Sequence, residues 1–179
     1  MFKEILRKKL INIRKNNYRQ KSIKYSLLKE TIENFKFFKT KIIGAYYPIN
    51  YEVDCLEVLK KLEETGHKIS LPVTKKKNQM EFFEWSFKEP LQVGKMGIPE
   101  PSKLKKVYPD IILVPLVGYD KYNYRLGYGG GYYDRYIQKI KKIKKTLTVG
   151  IAFSFQKVNK LKVSNHDKKL NFVLTEKHN

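Results

Sequence analysis

The 179 residues, 41% of them hydrophobic, suit one domain (~100–200 residues) with one core, which excludes a wholly disordered chain; the longest apolar run, Ile111–Tyr119, is far short of the ~20 residues of a membrane span. Lys and Arg total 38 against 17 Asp and Glu, a net +21 that favours anionic ligands, yet 33 of these cations are Lys spread along the chain, which argues a solvated surface over a nucleic-acid reader. A single cysteine, Cys55, excludes internal disulfides and thiolate metal clusters, and the charged opening Met1-Phe2-Lys3-Glu4 is no secretory signal, so a cytoplasmic protein is expected.

Residues 2–15 place Ile5, Leu6, Leu10 and Ile13 near helical spacing, and residues 22–38 do the same with Ile23, Leu27, Ile32 and Phe35. Ile42–Tyr47 reads as a short buried strand closed by Pro48. Asp54 is placed to cap a helix running through Leu56, Leu59 and Leu62, with Gly66 as its stop. His67–Val73 is a second strand. Thr74–Pro109 carries a weaker pattern: a turn at Lys75-Lys76-Lys77, a strand at Met80–Trp85 and a Pro/Gly-punctuated loop from Gly94 to Pro101. From Asp110 the run IILVPLVGY has the continuous apolar character of a strand buried on both faces. A glycine loop, a helix from about Gly131 to Ile143, a strand at Leu147–Phe153 and a last one at Phe172–Thr175 follow. Strands alternating with helices predict a single α/β domain over residues 1–179 with a largely parallel, Rossmann-like sheet.

The informative stretch is GYDKYNYRLGYGGGYYDRY, Gly118–Tyr136, which holds five of the ten glycines and seven of the thirteen tyrosines. Gly127, Gly129, Gly130 and Gly131 let the backbone take positive φ and bring its amides close to a ligand. Between a buried strand and a helix, those amides join the positive end of the helix dipole. That is a ready anion site, suited to phosphates, at the carboxyl end of a strand where open α/β sheets bind ligands. The absence of a following Gly-Lys-Ser/Thr excludes a Walker loop, and the spacing departs from G-x-G-x-x-G. With Lys the default cation, Arg7, Arg125 and Arg135 stand out.

Lys3 and Arg7 lie four apart on one helix face and could close over phosphates, although a Lys-rich helix offers such pairs freely. Glu52 and Asp54 alternate onto the same side of an extended segment. They read either as acceptors for an amino-pyrimidine-like ring edge, or as a solvated Glu52 beside a capping Asp54. Cys55 reads as a small core residue and Trp85 as core or rim. His67, His166 and His178 form no zinc spacing. Taken alone, these residues fit an enzyme using ATP, a basic RNA-binding module, or a sugar-phosphate isomerase that needs no nucleotide.

The run Asp120…Arg125-Leu126-Gly127-Tyr128-Gly129-Gly130-Gly131-Tyr132-Tyr133-Asp134 resembles the signature of the 5-formyltetrahydrofolate cyclo-ligase (methenyltetrahydrofolate synthetase) family. Lys3-x-x-Leu6-Arg7, Tyr47-Pro48…Glu52-Val53-Asp54, Gly97–Pro101 and His166-Asp167…Val173–Glu176 fit in the same order. The resemblance implies a three-layer α/β/α fold and ATP- and Mg²⁺-dependent conversion of 5-formyltetrahydrofolate to 5,10-methenyltetrahydrofolate. It implies the folate and ATP as small-molecule partners; a monomer is the expectation. Lys3, Arg7 and the loop Arg125–Tyr133 would hold ATP. Ile49, Glu52, Asp54 and residues 128–132 would meet the folate, with Arg125 and Tyr132 at the reaction itself. Asp134 would ligate Mg²⁺. One departure is Asn171, where the family has an aspartate as second metal ligand; an amide oxygen can coordinate Mg²⁺ without the charge, and Asp167 lies nearby.

Overall fold

The structure, a computed structural model, describes residues 2–18, 24–34 and 41–177. In chain order the elements are α1 (Phe2–Asn17), α2 (Tyr25–Asn34), β1 (Ile42–Gly44), α3 (Leu56–Glu64), β2 (Lys68–Lys75), β3 (Gln79–Trp85), β4 (Leu91–Val93), β5 (Pro99–Pro101) and β6 (Lys106–Val107). There follow β7 (Ile111–Pro115), β8 (Gly118–Asp120), β9 (Arg125–Leu126), α4 (Tyr132–Ile140), β10 (Leu147–Ala152), β11 (Lys157–Val158) and β12 (Phe172–Thr175). Ile23 and Phe35, two of the apolar positions expected on the second helix, lie outside the described residues.

The main sheet has the order β12-β10-β7-β1-β2-β3-β6. Pairing is parallel from β12 through to β2, and antiparallel where β3 and β6 are added. The alternation of β7 explains the two cores. Ile111 and Leu113 face α2 and α3 with Leu28, Leu59 and Leu62, whereas Ile112 and Val114 face α4 with Ile137 and Ile140. Each of these β7 side chains is fully buried, stabilising the fold by about 1.5–3 kcal/mol apiece. Helices on both faces of a mostly parallel sheet give the three layers expected from the sequence. Leu10 of α1 packs in a third cluster with Val117, Leu126 and Leu161, beside the small sheet β11-β8-β9.

Three details differ from the sequence reading. The run Ile111–Tyr119 is two strands, because Pro115 has no N–H for the ladder. The freed carbonyls of Leu116 and Val117 are met by Gln156 Nε2, at 2.9 Å each. The segment Gly94–Pro101 is no simple loop, since residues 91–93 and 99–101 pair as an antiparallel hairpin. The strand after residue 41 ends at Gly44, although Ala45 still donates to the Ser70 carbonyl at 2.9 Å.

β1 and β7 are neighbours whose connections depart in opposite directions, β1 through α3 to β2 and β7 through α4 to β10. Such a switch point opens a crevice at the carboxyl ends of the strands.

Candidate active site

At that switch point lies a cavity of about 530 Å³, within the ~300–1,000 Å³ of small-molecule sites. Its walls come from the chain after β1 (Tyr46–Asn50), the end of β7 (Pro115), the N-terminal half of α1 (Lys3, Arg7), the hairpin β4–β5 and the glycine loop. Lys3, Arg7, Ile49, Glu52, Arg125, Leu126, Gly127, Tyr128, Gly129, Gly130, Gly131, Tyr132, Tyr133 and Asp134 all line it. The structure therefore brings together nearly every residue singled out in the sequence.

In the glycine loop only Gly129 (φ +108°) and Gly131 (φ +68°) adopt positive φ, a narrower use of glycine than the four positions suggested. A Cβ on Gly129 would stand in van der Waals contact with Arg7 Cζ, at 3.4 Å, so the guanidinium lies directly on the loop, and it is the φ of +108° that asks for glycine there. Arg7 Nε donates to the Gly127 carbonyl at 2.8 Å, leaving both terminal nitrogens without a partner among the described residues. The amides of Gly129, Gly130 and Gly131 likewise donate to nothing among the described residues, and they lead into the N-terminus of α4. A free guanidinium fork, three free amides and a helix N-terminus form an anion cradle. Lys3 stands at its edge, paired with Asp167 at 2.7 Å. Partial burial opposes the Asp167 charge, but hydrogen bonds from Lys3 and Ser164 outweigh it and hold this carboxyl below its usual range.

Arg125 is placed differently from Arg7. Its side chain is only 5% exposed, Nη2 pairs with Asp134 Oδ2 at 2.9 Å, and Nη1 donates to the Lys168 carbonyl at 3.2 Å. It ties the start of α4 to the segment before β12. Asp134 Oδ1 accepts from the Lys168 amide at 2.9 Å. Arg135 turns away to the carbonyls of Asn78 and Gly130.

Glu52 also lines the cavity, beside Tyr128 and Tyr133. Asn50 and Tyr51 take positive φ (48° and 62°), and the turn swings Glu52 inward until 4% of it is exposed. Oε2 accepts from the Ile49 amide at 3.0 Å, while Oε1 has no hydrogen-bond partner among the described residues. Burial pushes this carboxyl up to about 7; the Ile49 amide and the Arg14 guanidinium restrain the rise, as does the neighbouring Tyr128 hydroxyl. Of the two readings of residues 52–54, the solvated Glu52 is excluded.

Asp54 and Asn171 do not line the cavity. Asp54 Oδ1 accepts from the Leu56 amide at 2.9 Å, serving the start of α3, with Cys55 itself at the cap position. Asn171 Oδ1 accepts from the amide and hydroxyl of Thr148, at 2.9 and 2.8 Å, and so joins the loop before β12 to β10. That oxygen is committed to the sheet. Further contributors were not singled out as site residues in the sequence. The hairpin brings Gly94, Met96, Ile98 and Glu100 to the cavity wall. Arg14, 1% exposed, reaches from α1 to the Tyr128 hydroxyl. It was legible by the same scarcity of arginine that marked Arg7, two turns earlier on one helix face.

The model of the 5-formyltetrahydrofolate cyclo-ligase family matches residues 2–176. The chain belongs to this family. The 5-formyltetrahydrofolate cyclo-ligase of Escherichia coli K12 is 31% identical over 140 residues, covering 74% of this chain and 76% of its own. A 5,10-methenyltetrahydrofolate synthetase from Mycoplasma pneumoniae superimposes with a TM-score of 0.72 at 26% identity, covering 99% of this chain and all of its own. The corresponding synthetase of Aquifex aeolicus gives 0.76 at 33% identity, covering 99% and 91%. The chain is thus a folate-metabolising ligase, built on the same mostly parallel α/β sheet.

Proposed function

We propose that the cavity binds ATP and 5-formyltetrahydrofolate together and closes the folate ring to 5,10-methenyltetrahydrofolate. The formyl oxygen attacks the γ-phosphorus and ADP leaves with the bonding electrons. The neighbouring folate nitrogen then adds to the activated carbon, loses its proton, and expels inorganic phosphate. Such a transfer needs positioning and charge neutralisation, not a protein nucleophile. The observation that carries the reading is the presence, in one cavity, of an anion cradle and a buried, half-satisfied carboxylate.

Arg7, Lys3 and the amides of Gly129–Gly131 would hold the phosphates. Glu52 Oε1 would take a hydrogen bond from the pterin ring edge, with Ile49 against the ring and Tyr128 and Tyr132 offering faces for stacking. Tyr133, with its hydroxyl buried and unpartnered among the described residues, backs the same wall.

Asp134 fits a nucleotide-borne Mg²⁺. A carboxylate has about four acceptor positions, of which the Lys168 amide and Arg125 use two, and Mg²⁺ needs only one or two carboxylates when phosphates and waters complete its shell. When bound, the ion would neutralise phosphate charge. Asn171, with its oxygen already committed to Thr148, is not proposed as a ligand.

The test is to mix the protein with 5-formyltetrahydrofolate and Mg-ATP and to follow the methenyl chromophore by absorbance. One ADP should appear per methenyl group. A folded protein that gives no signal, or a signal without ADP, refutes the reading.

A further inference from the structure

Arg14 is the largest of the fully buried side chains, a cation placed where a hydrocarbon of similar volume would be at least as stable. Its Nη1 donates to the Leu116 carbonyl at 3.2 Å, just past the end of β7, and its Nη2 donates to the Tyr128 hydroxyl. Its Nε is buried with no partner among the described residues. The guanidinium also lies 5.7 Å from the centre of the Tyr128 ring. Tyr128 itself is 42% exposed. Its ring thus borders the cavity while its hydroxyl is tied inward. With Arg7 on the Gly127 carbonyl, α1 grips the glycine loop at two consecutive residues from one face.

Resting on the ligand assignment above, we infer that Arg14 is a positioning residue for the reaction: bridging the end of β7 and the Tyr128 hydroxyl, it fixes the ring and glycine loop against both substrates and holds a positive charge beside Glu52. The groups facing Glu52 are Arg14 from α1, Tyr46 from the chain after β1, Cys55 from the start of α3, and Tyr128 and Tyr133 from the glycine loop and α4. Arg14 is the cation in that ring, so its charge favours the carboxylate form that accepts from the pterin. Displacement of a supporting group by about 1 Å can cost about 100-fold in rate.

The experiment compares wild type, Arg14→Met, Arg14→Lys, Tyr128→Phe and the Arg14→Lys/Tyr128→Phe double variant in the methenyl assay across pH 6–9, with urea unfolding as the folding control. Wild type should show kcat/KM rising as Glu52 ionises near neutrality. Arg14→Met should lose about 100-fold in kcat/KM, mostly in kcat, and its rise should move to higher pH. Arg14→Lys keeps the charge but cannot span both acceptors, so its pH midpoint should return towards wild type while kcat stays low. The double variant should lose no more than the worse single, because the two groups act as a unit. If Arg14→Met does not fold, the lysine variant and the double-mutant comparison still decide. A folded Arg14→Met within twofold of wild type, an unmoved pH midpoint in that variant, or additive losses in the double variant would overturn the inference. A wild type that makes no methenyl product refutes instead the ligand assignment itself.

Discussion

Replacing Glu52 by Gln should make the protein more stable and less active, with the stability gain depending on pH. The carboxyl is pushed from its ordinary 4.5 up to about 7, first by burial. The unfolded chain releases this proton near pH 4.5, whereas the folded chain keeps it to about pH 7. Between those values the folded state binds more protons, so stability falls as pH rises, and the loss is complete above pH 7. Moving a carboxyl from 4.5 to about 7 corresponds to roughly 3 kcal/mol. A glutamine carries no such titration and can still accept from the Ile49 amide. Urea unfolding of both proteins from pH 4.5 to 8 should give curves that nearly meet at the acid end and separate by about 3 kcal/mol at pH 8, the variant being the more stable. In the same variant kcat/KM at pH 8 should fall by about 10- to 100-fold, the worth of one charged hydrogen bond. Parallel stability curves, with no growth in the difference, would refute the buried, half-satisfied carboxylate.

Gly129→Ala forces a side chain into φ +108°, 3.4 Å from Arg7, and should cost about 1–3 kcal/mol while raising the KM for ATP more than that for the folate. Arg125→Ala leaves Asp134 unpaired and should destabilise by about 3 kcal/mol, with loss of turnover, measured by urea midpoint and methenyl assay together. Asp54→Ala should cost about 0.5–2 kcal/mol of stability at the start of α3 and leave kcat/KM unchanged. A tenfold rise in folate KM would return that residue to the site. Asn171→Asp should leave the Mg²⁺ titration unaltered, because its oxygen is committed to Thr148.

The sheet was legible because its strands are short, apolar and bounded by Gly, Pro and charged residues, and because α3 and α4 carry one apolar face each. The glycine loop was legible through its run of glycines, its place between a buried strand and a helix, and its likeness to the family signature. What escaped reading depends on contacts between segments far apart in the chain. Pro115 splits an apolar run that looks continuous, and the split holds because Gln156, about forty residues on, accepts the role of ladder partner. Glu52 and Asp54 share a side only if the backbone is extended; here one carboxylate lines the cavity and the other meets a helix start. Asn171 stands at a position where a metal ligand is expected, but Thr148 on the neighbouring strand claims its oxygen. For Arg14 the scarcity of arginine is the one signal in the sequence, and its burial, which gives it a role, comes only with the fold.

The most direct test is the structure of the protein with ADP bound. The phosphates should lie within hydrogen-bond distance of the amides of Gly129, Gly130 and Gly131 and of the free nitrogens of Arg7, with Glu52 in the same cavity still open to the folate. Phosphates held elsewhere, on surface lysines or against the hairpin β4–β5, would contradict the account.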